Sequence, residues 1–290
     1  EDRKDYAAGA IACFTAAMGD KSLVDIRRAD VRAFIDHERA RGSKTATVRR
    51  RLNELRAVFA KYVLEKELPA TVRNPFAEHA IKGEGRDVEE GSPLSNDDWS
   101  KVAKLCRERD DPIRWMIAIQ MTTGARIAEV AGLALDQIVL DAVVPYVVFT
   151  KNDARGIKTD RPSHNGTPPK WSYRAVPLVG VGLWAAGRVK AAAAAGQTYA
   201  FDLYIGEDGK LKADSASATV NKWIKGRGLG HTSHDFRHTL RDRLRNTGCP
   251  EEAALEIGGW AKEVVGSKSY GDGHLLSLRQ KHLVAAVGDS

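Results

Sequence analysis

The motif Thr-Gly-Ala-Arg-Ile-Ala-Glu at residues 123–129 contains the first residues that could do chemistry. Gly124 is expected to end the preceding helix, which places Arg126 at the start of the next one, beside unpaired backbone N–H groups and the positive end of the helix dipole. A guanidinium held there can bind a phosphate through two hydrogen bonds, and Glu129 can brace it from the next turn. An ordinary surface ion pair between Arg126 and Glu129 explains the spacing equally well.

A second group is His-Asp-Phe-Arg-His at residues 234–238. On a helix, His234 and Arg237 lie on the same face. A histidine beside an arginine suits proton transfer next to a bound anion, although a lone histidine is more often structural. Metal binding by His234 and His238 is the other alternative, but the intervening Glu of a metalloprotease helix is missing. We therefore predict no metal.

A third group combines Gly-Gly-Trp at residues 258–260 with Tyr270, ten residues after Trp260 and flanked by glycines at 271 and 273. A tyrosine hydroxyl is a weak nucleophile because its pKa is about 10. Neighbouring arginines would lower that pKa and hold an electrophile in line with the oxygen. Taken alone, an exposed aromatic side chain in a loop is the simpler interpretation of Tyr270.

The composition limits what kind of protein can carry these groups. The chain has 290 residues, 43% of them hydrophobic, and a net charge of 45 − 38 = +7, which favours a polyanionic partner. Cys13, Cys106 and Cys249 show no paired spacing, so we predict neither a disulfide framework nor a zinc site, and a reducing, cytoplasmic compartment. No apolar run reaches the ~20 residues of a membrane span, and no signal peptide is visible.

Patterning predicts two domains. Residues 1–82 read as helical, with a helix from Thr45 to Lys66 in which apolar residues recur every three or four positions and the polar side is basic. An earlier helix is expected to be capped by Asp30. Residues 83–92, rich in glycine and charge, are predicted to be a linker.

Residues 93–290 show a mixed pattern. We expect a helix capped by Ser95 or Asn96, a helix from Asp111 to Met121, and strands at Tyr146–Thr150 and Tyr173–Leu178, with helices dominating afterwards. The predicted fold class is mainly α with a small β-sheet.

The order of the motifs along the chain is a more specific signal than any single motif. Arg126, then His-x-x-Arg at 234–237, then Trp260, then Tyr270 resembles the tyrosine recombinases, also called the phage integrase family. The resemblance covers nearly the whole chain. It implies an N-terminal helical core-binding domain, a mixed α/β catalytic domain, and site-specific breaking and rejoining of DNA strands for integration or excision of a bacterial mobile element, without metal or cofactor.

The resemblance also implies a role for each motif residue. Tyr270 would attack the scissile phosphate, giving a 3′-phosphotyrosyl bond and releasing a 5′-hydroxyl. Arg126 and Arg237 would neutralise the nonbridging oxygens as charge develops on them. His234 would assist proton movement at the tyrosine. Trp260 stands where many members have His, and would donate its indole N–H to the phosphate and pack.

Three further positions carry implied roles. Glu129 and Asp235 would support the arginines and the active-site helix. The family protonates the departing 5′-oxygen with a hairpin lysine. Lys158 is the favoured candidate because Lys-Thr at 158–159 resembles the Lys-Thr that precedes Arg-x-Val-Pro-Leu, present here at 174–178. Lys151 stays an alternative, since the stretch 160–173 is long for a hairpin.

Partners follow from the same resemblance. Double-stranded DNA attachment sites would be bound partly through phosphate contacts from four residues of the basic helix, Arg49, Arg50, Arg51 and Lys61. The C-terminal segment, Leu275 to Val287, would dock on the next protomer of a homotetramer, with packing on its own domain as the alternative. An excision factor, a host DNA-bending protein and a location at the bacterial nucleoid are implied by the family.

Three other functions stay open at this stage. One is a site-specific DNA-binding protein without catalysis, although every catalytic position holds a competent residue. Another is a type IB topoisomerase, which shares the chemistry but relaxes DNA without pairing two sites. A metal-dependent nuclease is the most distant alternative.

Overall fold

The computed structural model describes residues 2–69, 71–87, 92–156, 174–260 and 275–288. The chain divides into two compact units, Glu1–Glu90 and Gly91–Ser290, and each has its own hydrophobic core. Lys158 and Tyr270 lie outside the described residues. Among the described helices, none combines the length and the apolar character that a membrane span needs.

The first unit is helical, with α1 (Asp2–Met18), a short 3-10 helix (Leu23–Asp25), α2 (Arg28–Ala40) and α3 (Thr45–Glu65). The apolar residues of α3 at spacings of three and four turn inward, and they include Val48, Leu52, Leu55 and Phe59. Their core is completed by Phe14, whose ring lies 5.2 Å from that of Phe34 and 5.4 Å from that of Phe76. The predicted helix of residues 45–66 is present to within one residue.

The start of α2 differs from the prediction. The N-cap residue is Arg27, three positions before the predicted cap. Asp30 lies in the first turn instead, where its carboxylate accepts the Arg27 backbone N–H at 2.8 Å and binds Lys21 at 2.7 Å. An acidic side chain satisfies the helix start from either place, which is why the sequence pattern alone misplaced the cap.

After α3 the chain continues in turns as far as Asp87. Residues 83–87, part of the predicted linker, bond back to the helices. Glu84 forms two 2.7 Å hydrogen bonds with Arg49. Asp87 accepts the Thr45 backbone N–H at 2.8 Å and a guanidinium N–H of Arg39 at 2.7 Å. The first unit therefore includes the first five residues of the predicted linker.

The second unit is mainly helical around a small sheet, as predicted. Its elements in chain order are α4 (Asn96–Arg109), α5 (Pro112–Thr123), α6 (Ile127–Ala131), β1 (Ile138–Val139), β2 (Tyr146–Phe149), β3 (Arg174–Pro177), α7 (Gly180–Ala192), α8 (Ala213–Gly226), α9 (Ser233–Asn246), α10 (Glu251–Gly258) and α11 (Leu276–Val287). Short 3-10 turns lie at Leu135–Gln137 and Asp202–Tyr204.

Helix α5 is the centre of this unit. Every residue from Trp115 to Thr123 is buried, and α5 packs against α4, α6, α7, α8 and α9. Its ends follow ordinary capping chemistry, because the Asp111 carboxylate accepts the Arg114 N–H at 3.1 Å and Pro112 occupies the first turn. At the other end Gly124 adopts a left-handed conformation with φ of 64°.

Among the described residues, three strands form one antiparallel sheet in the order β1-β2-β3. Val147 in the middle strand faces Ile138 on one side and Val176 on the other. Phe149 faces Arg174 across the β2–β3 pair. This register places Arg174 at the start of β3, where it points into the unit and is buried.

The C-terminal helix α11 packs on its own unit rather than standing away from it. Leu283, Ala286 and Val287 are buried against α9 and β3. Arg243 of α9 donates to the Ala286 carbonyl at 2.6 Å, and Arg279 of α11 donates to the Ala175 carbonyl at 2.6 Å. In this single chain α11 is therefore packed on its own domain, and its docking on a neighbouring protomer stays a prediction.

Candidate active site

The turn between α5 and α6 positions the first motif. Arg126 is the N-cap residue of α6, and its backbone N–H donates to Glu129 Oε2 at 2.9 Å. Its Nη1 lies 3.6 Å from Glu129 Oε1. Glu129 thus fixes the backbone of Arg126 and also attracts its guanidinium, an i, i+3 contact that both interpretations of the spacing predict.

Glu129 has a second arginine partner that the sequence analysis did not select. Arg174 Nη2 donates to Oε2 at 2.6 Å and Nη1 donates to Oε1 at 3.2 Å, and both side chains are buried. Burial on its own would raise the pKa of Glu129, but the charge and hydrogen bonds of Arg174, with the Arg126 N–H, outweigh it and lower that pKa below its ordinary value. Glu129 is therefore ionised at neutral pH.

Arg155 adds a third guanidinium near the same carboxylate. It is buried over Gly132, where an added Cβ would lie 2.6 Å from Arg155 Cδ, and it donates to the Thr150 carbonyl at 2.9 Å. Burial, partly offset by the charge of Glu129, lowers the pKa of Arg155 to about 10. Arg155 still carries its proton at neutral pH, so this buried cluster is net positive.

Arg237 connects all three motifs. Its Nη1 donates to the carbonyl oxygens of Gly124, at 2.5 Å, and of Gly258. Its guanidinium carbon lies 4.8 Å from the ring centre of Trp260. The segments before Arg126 and before Trp260 are therefore brought together by this buried side chain of α9.

Two glycines allow this close approach. A Cβ on Gly124 would lie 3.1 Å from Leu240 Cδ2 and 3.5 Å from Trp260 Cη2. Gly259, with φ of 64°, ends α10, and a Cβ there would lie 3.0 Å from Arg174 Nη1. Both positions require the left-handed backbone that glycine adopts without strain.

Trp260 is buried and borders a second arginine of α9. The guanidinium carbon of Arg241 lies 5.7 Å from its ring centre, within the range of a cation–π contact. Arg237 and Arg241 are one helical turn apart, so both reach the same indole from one face of α9. Trp260 is thus held by packing against α9, and its hydrogen bond to phosphate stays a prediction.

His234 is exposed at the start of α9, on the turn that also carries Arg237. Its ring centre lies 4.6 Å from that of His238. Partial burial, followed by the positive charges of His238, Arg237 and Arg126 and opposed by Asp235, lowers the pKa of His234 below 6.5. A neutral, solvent-accessible imidazole beside the two motif arginines can accept a proton at neutral pH.

Asp235 supports the helix rather than the arginines in the contacts described. Its carboxylate accepts the Thr232 backbone N–H at 2.7 Å and the Thr232 hydroxyl at 3.1 Å, which satisfies the N-terminus of α9. The orientation of His234 and Arg237 depends on that helix start, so the effect of Asp235 on the site is indirect.

The remaining predicted catalytic residues are not brought together by the described structure. Tyr270, Lys158 and the stretch 160–173 lie outside the described residues. Lys151 is exposed, two residues after the end of β2. Within the described ranges, no group of three or more His, Cys, Asp or Glu side chains is placed to hold a metal ion.

The basic side of α3 contains two kinds of residue. Arg49 is bound to Glu84, and Arg51 pairs with the buried Glu38. Arg50 and Lys61 are exposed, with Arg50 5.2 Å from the ring of Tyr6. At 100° per residue, positions 50 and 61 share one side of the helix. Half of the predicted DNA-binding set is therefore already engaged within the unit.

The chain is similar to known proteins in both sequence and fold. A sequence profile described as the phage integrase family matches residues 94–270 of the chain. The Tn1549 transposon integrase in complex with transposon right end DNA shares the fold with a TM-score of 0.66 and 18% identity, over 90% of this chain and 86% of that one. No curated protein sequence matches the chain significantly.

Two further solved structures are similar. A lambda integrase tetramer bound to a Holliday junction has a TM-score of 0.62 at 15% identity, over 91% of this chain and 72% of that one. The XerH site-specific recombinase bound to a palindromic difH substrate has a TM-score of 0.60 at 16% identity, over 89% and 73%. At these identities the likeness establishes the fold.

Proposed function

Because this chain belongs to the phage integrase family and is a site-specific tyrosine recombinase, we propose that it cuts and rejoins DNA through a 3′-phosphotyrosyl bond to Tyr270. The biological reaction would be integration or excision of a bacterial phage or other mobile element. The matches to a transposon integrase and a phage integrase support that assignment.

The observation that carries the proposal is the position of Arg237. Its Nη1 joins the carbonyls of Gly124 and Gly258, and its guanidinium stacks on Trp260. Three motifs, the first of which lies more than a hundred residues before the other two, thus meet around one guanidinium. An exposed histidine beside two arginines supplies a proton acceptor and a counter-charge for phosphate in one place, which suits phosphoryl transfer without a metal.

The proposed chemistry balances without a metal or cofactor. His234 accepts the Tyr270 hydroxyl proton, and the phenolate oxygen forms a bond to phosphorus while the P–O5′ bond breaks. Arg126 and Arg237 neutralise the nonbridging oxygens as negative charge grows there. Lys158, or Lys151 in its place, protonates the departing 5′-oxygen. Attack by another 5′-hydroxyl reverses the steps and rejoins the strands.

The first unit would bind the core of the attachment site. Arg50 and Lys61 present charge on one exposed side of α3 and are suited to phosphate contacts, which fix position on the duplex rather than read its sequence. Arg49 and Arg51 would contribute to DNA binding only by exchanging their carboxylate partners for phosphate.

Assembly is the last part of the proposal. Two DNA sites bound by two copies each require a tetramer, and the lambda integrase structure is a tetramer on a Holliday junction. Exchange of the C-terminal segment between protomers would require α11 to leave the cis position in which Leu283 and Val287 are buried. An excision factor and a host DNA-bending protein would act with the tetramer at the nucleoid, in the bacterial cytoplasm.

The experiment uses nicked duplexes tiled across the DNA that flanks the gene, mixed with protein in EDTA and run on a denaturing gel. Wild type should give a slow, protease-sensitive band, and Tyr270→Phe should bind DNA without giving it. Tyr6→Phe is the matched control, because it removes a hydroxyl from the first unit and keeps the ring stacked on Arg50. Adducts formed by Tyr270→Phe would show that Tyr270 is not the nucleophile. Tight binding by wild type with no adduct on any duplex would favour the non-catalytic alternative.

A further inference from the structure

Glu129 contacts two arginines, Arg174 and Arg126, through different groups. Arg174 makes the side-chain hydrogen bonds, at 2.6 and 3.2 Å, one to each carboxylate oxygen. Arg126 gives its backbone N–H at 2.9 Å, while its Nη1 stays at 3.6 Å, beyond ordinary hydrogen-bond length. Glu129 therefore fixes the main chain of Arg126 more firmly than its guanidinium.

Arg174 is held rigidly in this position. It is buried, its guanidinium carbon lies 4.6 Å from the ring centre of Phe149, and its Nη1 lies against Gly259. The β2–β3 register fixes its backbone opposite the same Phe149. A planar guanidinium bound to both oxygens of a carboxylate is a fixed counter-charge that lysine cannot reproduce.

Fixing that counter-charge matters because a carboxylate and a phosphate compete for the same arginine. In a buried setting an unneutralised carboxylate attracts a nearby guanidinium strongly. Arg155 is close to Glu129 but donates to the Thr150 carbonyl and makes no hydrogen bond to the carboxylate. If Arg174 did not occupy both Glu129 oxygens, the Arg126 guanidinium would therefore close the 3.6 Å gap to Glu129 and be drawn away from an incoming phosphate.

We propose that Arg174 is a positioning residue for strand cleavage, which neutralises Glu129 so that this carboxylate orients the Arg126 backbone without competing with the scissile phosphate for the Arg126 guanidinium. The inference rests on the proposed function, in which Arg126 binds that phosphate. It assigns to the first residue of β3 a part in the reaction although Arg174 itself is too buried to touch DNA.

The test measures single-turnover cleavage on two nicked duplexes, one with an ordinary scissile phosphodiester and one with a neutral methylphosphonate. Arg174→Met should lower the rate on the phosphodiester about tenfold or more, with DNA affinity changed less than about twofold. The expected loss is smaller than for a direct donor to the phosphate because Arg174 acts through Glu129. On the methylphosphonate, where no phosphate charge has to be captured, the loss should shrink to about twofold.

Controls separate positioning from folding. Arg188→Met removes an exposed arginine that pairs with Asp110 in the same unit, and should leave both rates unchanged. Glu129→Gln added to Arg174→Met should recover much of the phosphodiester rate, because an amide oxygen still accepts the Arg126 N–H but carries no charge. All rates are taken well below the melting temperature of each variant.

The outcomes are distinct. Equal losses on both duplexes, as misfolding would give, or no loss on either, overturn the role of Arg174 while leaving the recombinase chemistry intact. Absence of any adduct with wild type, on duplexes that it binds tightly, overturns the proposed function and the inference together.

Discussion

The guanidinium of Arg237 donates a 2.5 Å hydrogen bond to the carbonyl oxygen of Gly124, two residues before Arg126. The bond joins the end of α5 to the second turn of α9. The turn that carries Arg126 is therefore held in place by the side chain of Arg237. A change at Arg237 should therefore disturb the turn that carries Arg126 as well as its own contact with phosphate.

Arg237→Lys tests that relationship. A lysine carries the charge but cannot donate from one planar group to Gly124 and Gly258 while stacking on Trp260. We expect single-turnover cleavage to fall about 100-fold or more, the size seen when one preorganised donor is lost, with little change in DNA affinity. Arg245→Lys, on the same helix with an exposed Asp242 partner, is the matched control and should cleave normally.

Gly124→Ala should reduce stability and activity together. The position has φ of 64°, and a Cβ would lie 3.1 Å from Leu240 Cδ2. A left-handed alanine costs about 1–2 kcal/mol before any steric contact is counted. Thermal unfolding measures the change. Gly187→Ala, in the interior of α7 with no atom within 4 Å of the added Cβ, should instead stabilise the protein slightly; equal effects of the two substitutions would contradict the argument.

The pH dependence of cleavage follows from His234. Its pKa is lowered below 6.5, so the neutral form that accepts a proton persists to lower pH than in an ordinary histidine. The cleavage rate should rise with pH through that lowered pKa and be level at neutral pH. His238→Gln removes one of the positive charges that lower the pKa, so the midpoint of the profile should move to higher pH.

His282→Gln, on α11, is the control for that experiment and should leave the midpoint in place. A profile that is unchanged by both substitutions and by His234→Gln would show that His234 does not take up the tyrosine proton.

DNA affinity should depend unequally on the four basic residues of α3. Arg50 and Lys61 are exposed, whereas Arg49 and Arg51 are paired with Glu84 and Glu38. If each exposed residue binds one phosphate, its replacement by Ala should reduce the slope of log affinity against log salt by about 0.9. Arg49→Ala should change the slope less. Equal slopes for all four variants would mean that the ion pairs open on DNA.

The sequence predicted the helical elements and the motif order well because both depend on local patterns. The apolar spacing of α3 and the Ser95 cap of α4, whose side chain accepts the Asp98 N–H at 3.0 Å, are set within a few residues of chain. It could not predict that Arg174 binds Glu129, because 45 positions separate them and only the β2–β3 register brings the arginine inward.

The same limit explains why the sequence does not predict which arginines are buried or paired. The sequence analysis does not select Arg155, and it names Arg174 only as the first residue of Arg-x-Val-Pro-Leu, since nothing local distinguishes a buried arginine from an exposed one. A basic residue at an inward position of a short strand was the one available signal. The pattern of α3 does not show that Arg49 and Arg51 are paired, because their acidic partners, Glu84 and Glu38, lie in other segments.

The general acid can be identified by changing the leaving group. A lysine that protonates the departing 5′-oxygen is needed because an alkoxide leaves poorly, whereas a bridging 5′-sulfur leaves as a thiolate with a pKa near 8.5 and needs little protonation. Lys158→Ala should therefore lose about 100-fold or more on the oxygen substrate and recover on the sulfur substrate. Lys151 is an exposed lysine near β2, and Lys151→Ala should cleave both substrates at the wild-type rate. The reverse pattern would transfer the role to Lys151, and a loss on both substrates would indicate that the lysine binds DNA instead of donating the proton.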